Sequence, residues 1–370
     1  MDADPPTAVK ITSVRATPVL APIGRPIRTA SGSIERFPLV LVDVVTDAGL
    51  EGRAYAQAYL PELLHALTET VVGLGAMLRG LPLWPRDLHA QLVRRCRLIG
   101  TKGLLGMAFG ALDMAVWDAW AKARGEPLAR SLGAALRPLR AYHSVGLYDA
   151  SSVHVVAEEA LSGGFAGLKI KLGFPTLKED LAAVHAARRA LGPDLALMVD
   201  YNQSLSVAQA LVRCRALDGE GLEWIEEPVT ADDLAGCARI AASVATPIQI
   251  GENFNGPAEL RAAMEAQAMD LVMPDPQFIH GVTGWLQAVS LASAAGLPVS
   301  SHLFVEASAQ LLCATPSAHW IEVLDAAGGL RSQPLTLHQG FLIPFDAPGL
   351  GIEWREDLVE RHRAGASRSA

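Results

Sequence analysis

Three short apolar runs in this chain each stop at an acid: Leu195-Ala-Leu-Met-Val-Asp200, Leu222-Glu-Trp-Ile-Glu226 and Pro247-Ile-Gln-Ile-Gly-Glu252. The two intervals between those acids are equal, at 26 residues. A run just upstream, Gly167-Leu-Lys169-Ile-Lys171, ends in two lysines instead. Three carboxylates brought to one point repel unless a cation lies between them. An all-oxygen donor set suits a hard divalent ion, Mg2+ above all, so Asp200, Glu226 and Glu252 are candidate metal ligands.

The lysines carry a second kind of chemistry. Two residues apart on a strand, Lys169 and Lys171 share a face about 6.6 Å apart at roughly 3.3 Å per residue. Two ammonium charges at that distance repel by about 2.5 kcal/mol at an effective dielectric near 20. That is enough to depress one pKa by roughly 1.8, in the direction of the ~7–8 that suits a general base. Asp270-Leu-Val-Met-Pro-Asp275 and Leu297-Pro-Val-Ser-Ser-His302 end on Asp275 and His302. A carboxylate bound to one ring nitrogen fixes the tautomer and raises the basicity of the other. The last such run, His319-Trp-Ile-Glu-Val-Leu324, holds Glu322.

An apolar run ending in a polar residue, then a helix, then another run, is the rhythm of a (β/α) barrel, whose strand C-termini build the active site. The runs begin at 139–145 and continue through 167–171 and the six acid- or His-bearing segments. Helices lie between them, one opened by the capping box Thr176-Leu-Lys-Glu179. Upstream the order differs. Strands are expected at 9–14, 39–45 and 50–55, with a turn at Thr46-Asp-Ala-Gly49 and a loop over 24–33. A helical stretch follows from 61 to 133, clearest over 104–123. Strands followed by helices indicate a separate α+β domain. The expected fold is thus a modified TIM-type barrel at 136–339 with an α+β capping domain at 1–135. The segment 340–370 is expected to return to the cap, ending in a loose tail from 361.

The chain has 370 residues, half of them hydrophobic, and a net charge of −8. That length accommodates a barrel of about 250 residues and a second domain. The acidic balance and the lack of basic runs argue against nucleic acid. Cys96, Cys214, Cys237 and Cys313 are scattered, with no C-x-x-C pair, so neither a disulfide framework nor a zinc site is indicated. No signal pattern and no apolar run of membrane length is read, so a cytoplasmic protein without a membrane partner is expected.

In order, Lys169-x-Lys171, Asp200-x-Asn202, Glu226-Glu-Pro228, Gly251-Glu252-Asn253, Asp275, His302 and Glu322 resemble the enolase superfamily, and within it the mandelate racemase subgroup. Val199-Asp-Tyr-Asn-Gln-Ser204, Gly281-Val-Thr-Gly-Trp285, Ser300-Ser-His-Leu-Phe304 and Ala314-Thr-Pro-Ser-Ala-His-Trp320 extend the likeness over nearly the whole chain. The resemblance implies one Mg2+ per subunit, a homo-oligomer (dimer or octamer) and enolate chemistry on a small carboxylate. It makes Lys171 the base and Lys169 its partner, which also contacts the substrate carboxylate. His302, oriented by Asp275, would face Lys171 across the substrate. Glu322, if protonated, would donate a hydrogen bond to the enediolate, with Asn202 and Ser144 nearby.

Two acid/bases on opposite faces support racemisation or epimerisation of a 2-hydroxy acid, an isomerase reaction. The same pair supports dehydration of an acid sugar, a lyase reaction, and a barrel that binds without turnover is the non-enzyme alternative. Muconate-cycloisomerase or dipeptide-epimerase chemistry is disfavoured because those relatives carry a lysine where Asp275 stands. The cap is expected to decide through Ile27, Arg28, Thr29, Ser31, Ile34, Gln57 and Tyr59, with Leu303, Leu324 and His143 from the barrel. Ser31 and Gln57 are polar intrusions into what resembles an aryl pocket, and a buried polar group left unpaired costs ~1–3 kcal/mol.

Overall fold

The computed structural model describes residues 9–29 and 32–370, so Ser31 lies outside the described residues. The chain opens with an antiparallel meander of β1 (Ile11–Thr29), β2 (Gly32–Thr46) and β3 (Glu51–Gln57). The loop expected over 24–33 is largely strand. Pairing resumes after a register shift, with Ile27 opposite Ile34, Arg28 opposite Ser33 and Thr29 opposite Gly32. Alternation along that arm sets its two faces. Ile27 and Thr29 turn toward the cavity described below, whereas Arg28 is exposed and donates to the Leu147 carbonyl at 3.3 Å.

A short 3-10 turn leads to α1 (Leu64–Ala76), α2 (Pro85–Arg95), α3 (Leu104–Ala123) and α4 (Leu128–Ser131). Helix α3 lies directly on the sheet, since a Cβ on Gly52 of β3 would sit 2.1 Å from the Ala115 carbonyl oxygen. By length and composition α3 could cross a membrane, which corrects the expectation that no such run exists. Here it is a core helix, burying Phe109, Leu112, Met114, Val116 and Trp117.

The alternating part runs β4 (Leu139–Leu147), α5 (Val153–Ser162), β5 (Gly167–Lys171), α6 (Leu177–Leu191), β6 (Ala196–Asp200) and α7 (Val207–Leu217). It continues through β7 (Ile225–Glu226), α8 (Leu234–Ala241), β8 (Ile248–Ile250), α9 (Pro257–Glu265) and β9 (Leu271–Val272). Helices α10 (Gly281–Ala294) and α11 (Val305–Cys313) and strand β10 (Ile321–Val323) complete it. Strands β4 to β9 pair in parallel, each with the next, and β10 pairs with β4. The expected strand at 297–302 reduces to Val299, which bridges Val272 and Ala318 and carries the pairing round. Pro298, having no N–H to give a ladder, limits it. Tyr142, Met198, Trp224, Leu271 and Trp320 form a cluster of their own, separate from the main core. Both α6 and α7 begin with a formed capping box, Thr176 with Glu179 and Ser206 with Gln209.

Only part of 340–370 goes back to the cap. Strands β11 (Thr336–His338) and β12 (Phe341–Ile343) form a hairpin whose second arm pairs antiparallel with β4. After α12 (Glu356–Arg361), β13 (Arg368–Ser369) pairs with β1. The last residues are therefore not a loose tail: β1 had an edge of unsatisfied amides and carbonyls, and residues 362–370 occupy it. Three buried acids tie the first part of the chain to the barrel. Tyr55 donates to Glu306 at 3.0 Å, Thr283 donates its N–H to Asp113 at 2.8 Å, and Asp118 accepts the amides of Arg53 and Leu350. These contacts hold the end of β3 over the strand C-termini.

Candidate active site

Parallel register places the polar strand ends side by side: Lys171 pairs with Asp200, and Asp200 with Glu226. Asp200, Glu226 and Glu252 each offer an oxygen, and the three oxygens lie within 4.8 Å of one another. Glu226 is fully buried, accepting from the Trp224 indole at 2.8 Å, the Gln249 amide at 3.1 Å and Lys169. Burial, opposed by Lys169 and reinforced by the Asp200, Glu252 and Glu322 charges, pushes its carboxyl up to about 7. Asp200 is also fully buried, yet Lys171 and Lys169 outweigh burial and hold its carboxyl below the ordinary value. A cluster of three oxygen donors, two of them fully buried, in which the Asp200 and Glu252 charges raise the Glu226 carboxyl, is a fit for a hard divalent cation. Asn202 adds to it: its backbone and side-chain amides donate to Asp200 at 2.6 and 3.0 Å, while its buried Oδ1 has no partner among the described residues.

The two lysines do not behave as their mutual repulsion alone predicts. Lys169 is buried between Glu226 and Glu322, with Glu322 at 2.8 Å, and burial is outweighed by those acids so that its pKa rises well above the ordinary value. Lys171 sits 2.7 Å from Asp200. Burial and Lys169 push its ammonium down, but Asp200 and Glu252 prevail and the pKa is raised. The expected depression is thus overturned in this arrangement, because each ammonium has a carboxylate closer than its neighbouring lysine.

His302 is bracketed by acids: Nδ1 lies 2.7 Å from Asp275, and Nε2 lies 3.4 Å from Glu252 and 3.9 Å from Glu322. Burial disfavours its charge, but Glu252, Glu322 and Asp275 raise the pKa to about 10. Asp275 is anchored in turn by the amides of Gln277 and Phe278, at 2.7 and 3.2 Å. Glu322 departs from expectation. Although burial raises it, Lys169, His302 and the Leu303 amide bring its carboxyl down to about 2, so here it is ionised and accepts hydrogen bonds.

Lys171, His302, Glu252 and Asn202 open into a cavity of about 590 Å³ beneath the cap. Ile27, Thr29, Ile34, Gln57, Tyr59, Leu303 and Leu324 line it as expected. Gln57 is 2% exposed, its backbone is held by Gln277, and its side-chain Oε1 is buried with no donor among the described residues. Four predicted positions fall elsewhere. Arg28 faces outward, as above. His143 stacks on Phe165 at 4.9 Å beside Glu159, on the opposite side of β4 from its neighbours in the chain. Ser144 is buried opposite Lys169 in the strand register, and Lys169 itself lies outside the cavity lining.

A family model described as the mandelate racemase / muconate lactonizing enzyme N-terminal domain matches residues 11–133. A second, described as enolase C-terminal domain-like, matches 153–358. The chain belongs to the enolase superfamily, in the mandelate racemase subgroup. Among solved structures it is similar to an enolase from Bradyrhizobium complexed with magnesium and mandelic acid. The identity is 41% and the TM-score 0.94, over 98% of this chain and 100% of that one. It is 32% identical to L-talarate/galactarate dehydratase of Salmonella typhimurium, over 74% of this chain and 70% of the relative. It is 28% identical to D-galactarolactone cycloisomerase of Agrobacterium fabrum, over 96% and 99%. These relatives differ in reaction, so membership of the superfamily fixes the fold and the class of chemistry but not the product.

The cavity is also lined by residues that residue types and spacing did not point to. Gln203, Glu227 and Asn253 line the cavity, and Glu227, buried among acids and raised well above the ordinary carboxylate range, accepts from both of the others. Glu35 and Arg36 stand at its rim and are exposed. Tyr59, Asn202, Gln203, Glu227 and Leu303 all have positive φ, between 39° and 62°. Strained backbone of this kind gathers at functional sites and is invisible in residue types.

Proposed function

We propose that the protein is a Mg2+-dependent enzyme that removes and returns the α-proton of a 2-hydroxy carboxylate, racemising or epimerising it. The observation that carries this reading is the position of two proton-transfer groups at opposite ends of one carboxylate cluster. Lys171 touches Asp200 at 2.7 Å, and His302 approaches Glu252 at 3.4 Å. Bound by Asp200, Glu226 and Glu252, Mg2+ would act as a Lewis acid toward the substrate and draw off acid charge that holds Lys171 and His302 protonated.

Neutral Lys171 takes the α-proton from one face: the C–H bond breaks, an N–H bond forms, and the pair of electrons is left on an enediolate. Protonated His302 delivers its Nε2 proton to the same carbon from the other face, while Asp275 holds Nδ1 and steadies the ring. In the opposite direction the roles exchange. Lys169, kept charged by Glu226 and Glu322 just outside the cavity lining, stabilises the dianion through its charge. Glu322, ionised here, serves as the anchor of Lys169 and His302, and donation from it would require the proton that the resemblance assumed.

One observation favours a second reading, dehydration of an acid sugar. The orphaned Oε1 of Gln57 is an acceptor that an aryl substrate cannot satisfy and a hydroxyl can. With a hydroxyl on the β-carbon, the His302 proton would go to that oxygen, the C–O bond would break and water would leave. The deciding experiment is a screen of 2-hydroxy acids and acid sugars with Mg2+, scoring optical inversion and 2-keto product separately. Inversion of a 2-hydroxy acid supports the lead reading, and 2-keto product alone replaces it with the second.

A further inference from the structure

The end of β5, which presents Lys171, and the end of β6, which presents Asp200, share a fastening that lies outside the cavity. Asp180, in the first turn of α6, is fully buried. Its Oδ1 accepts the backbone amides of Gly173 at 3.1 Å and Phe174 at 2.9 Å, two and three residues beyond Lys171. Its Oδ2 accepts the Tyr201 hydroxyl at 3.1 Å and Arg213 at 2.5 Å. Tyr201 directly follows Asp200 and is itself fully buried. Arg213, from α7, reaches past Asp180 to the carbonyls of Phe174 at 2.8 Å and Pro175 at 3.2 Å. One carboxylate with four donors, two from the loop after the lysine strand, thereby sets that loop against the neighbouring strand end.

We infer that Asp180 is a positioning residue for Lys171: it fixes the β5–α6 loop against Tyr201 so that the ammonium meets one face of the substrate. Gly173 has φ +112° and a Cβ there would meet the Ser204 hydroxyl at 2.9 Å, so the loop passes tightly by the segment after β6. No comparable contact from Asp180 reaches His302, which is held by Asp275 from β9's end. Loss of the fastening should therefore be felt on one face only. A displacement of about 1 Å at a reacting group can cost about a hundredfold in rate.

This inference rests on the two-face reading above, and the test separates the two. Each enantiomer of the 2-hydroxy acid turned over best by wild type, with mandelate tried first, is incubated in D2O with the Mg2+-loaded enzyme, and α-deuterium incorporation is followed by NMR. Asp180→Asn should slow exchange at the Lys171 face by about tenfold to a hundredfold more than at the His302 face. Tyr201→Phe, which removes one bond to Asp180, should shift the ratio the same way by less, and it carries the test if Asp180→Asn does not fold. Equal losses at both faces would mark Asp180 as a stability residue and overturn the inference, as would an unchanged ratio in both variants. A wild-type enzyme that exchanges no α-proton at all would instead sink the two-face reading itself.

Discussion

Replacing Gln57 by methionine keeps the length of the side chain and removes its polarity. Gln57 lines the cavity and is 2% exposed, its backbone N–H and C=O are already used by Gln277, and its buried Oε1 has no donor among the described residues. An unsatisfied buried acceptor costs about 1–3 kcal/mol, and a substrate hydroxyl that donates to it recovers that energy in the complex. At about 1.36 kcal/mol per factor of ten, Gln57→Met should lower kcat/KM roughly 5- to 150-fold for acids carrying a hydroxyl beyond C2. For mandelate, whose ring gives Oε1 nothing, kcat/KM should stay level or rise. The substrate-free variant should also melt higher than wild type, since the orphaned acceptor is gone. The assay is kcat/KM for mandelate and for the best hydroxylated acid in both proteins, with melting curves alongside. Equal loss on both substrates, or a lower melting temperature with no change in preference, would refute the argument that Gln57 reads a hydroxyl.

Two further outcomes follow from the acids and their partners. In metal-free protein, Glu226 is raised to about 7 and His302 to about 10, so each adds stability that is complete below its unfolded pKa and lost as pH rises through the folded value. Melting temperature in EDTA should therefore fall between about pH 5 and pH 10, and Mg2+ should remove most of that fall; a flat profile in EDTA would contradict the cluster as described. Asp275→Asn keeps an acceptor for the Gln277 and Phe278 amides but takes away the charge beside His302 Nδ1. The limb of the pH–rate profile that belongs to His302 should move to lower pH, and the rate at that face should drop by about a hundredfold or more, read by face-resolved exchange.

Much of the site could be read from residue types because a barrel delivers one strand end after another to one place. Asp200, Glu226, Glu252, Asp275 and His302 each close an apolar run, and the structure brings all five together. Strand parity explains two of the misses. Ile27 and Thr29 face inward while Arg28 between them does not, and His143 turns away from the side on which its neighbour Ser144 lies opposite Lys169. Counting alternate residues from Lys169 across the barrel sheet would have found His143, and counting along the β1 arm from Ile27 would have found Arg28. The protonation states were not legible in the same way. Spacing alone gives the repulsion between Lys169 and Lys171, but the stronger attractions to Glu226, Glu322 and Asp200 depend on where three other strands end. Nor could residue types show that Asn202, Gln203, Glu227 and Leu303 adopt positive φ, since the surrounding fold imposes that backbone. The final pairing of 362–370 with β1 was missed because a polar, small-residue ending carries no strand pattern of its own.

The central claim is that Lys171 and His302 act on opposite faces of one bound substrate. Face-resolved α-proton exchange in D2O by Lys171→Ala and His302→Asn tests it most directly. The account predicts that His302→Asn exchanges the α-proton of one enantiomer without racemising it, that Lys171→Ala does so with the other enantiomer, and that neither interconverts the two. Racemisation at the wild-type rate by either variant would contradict it.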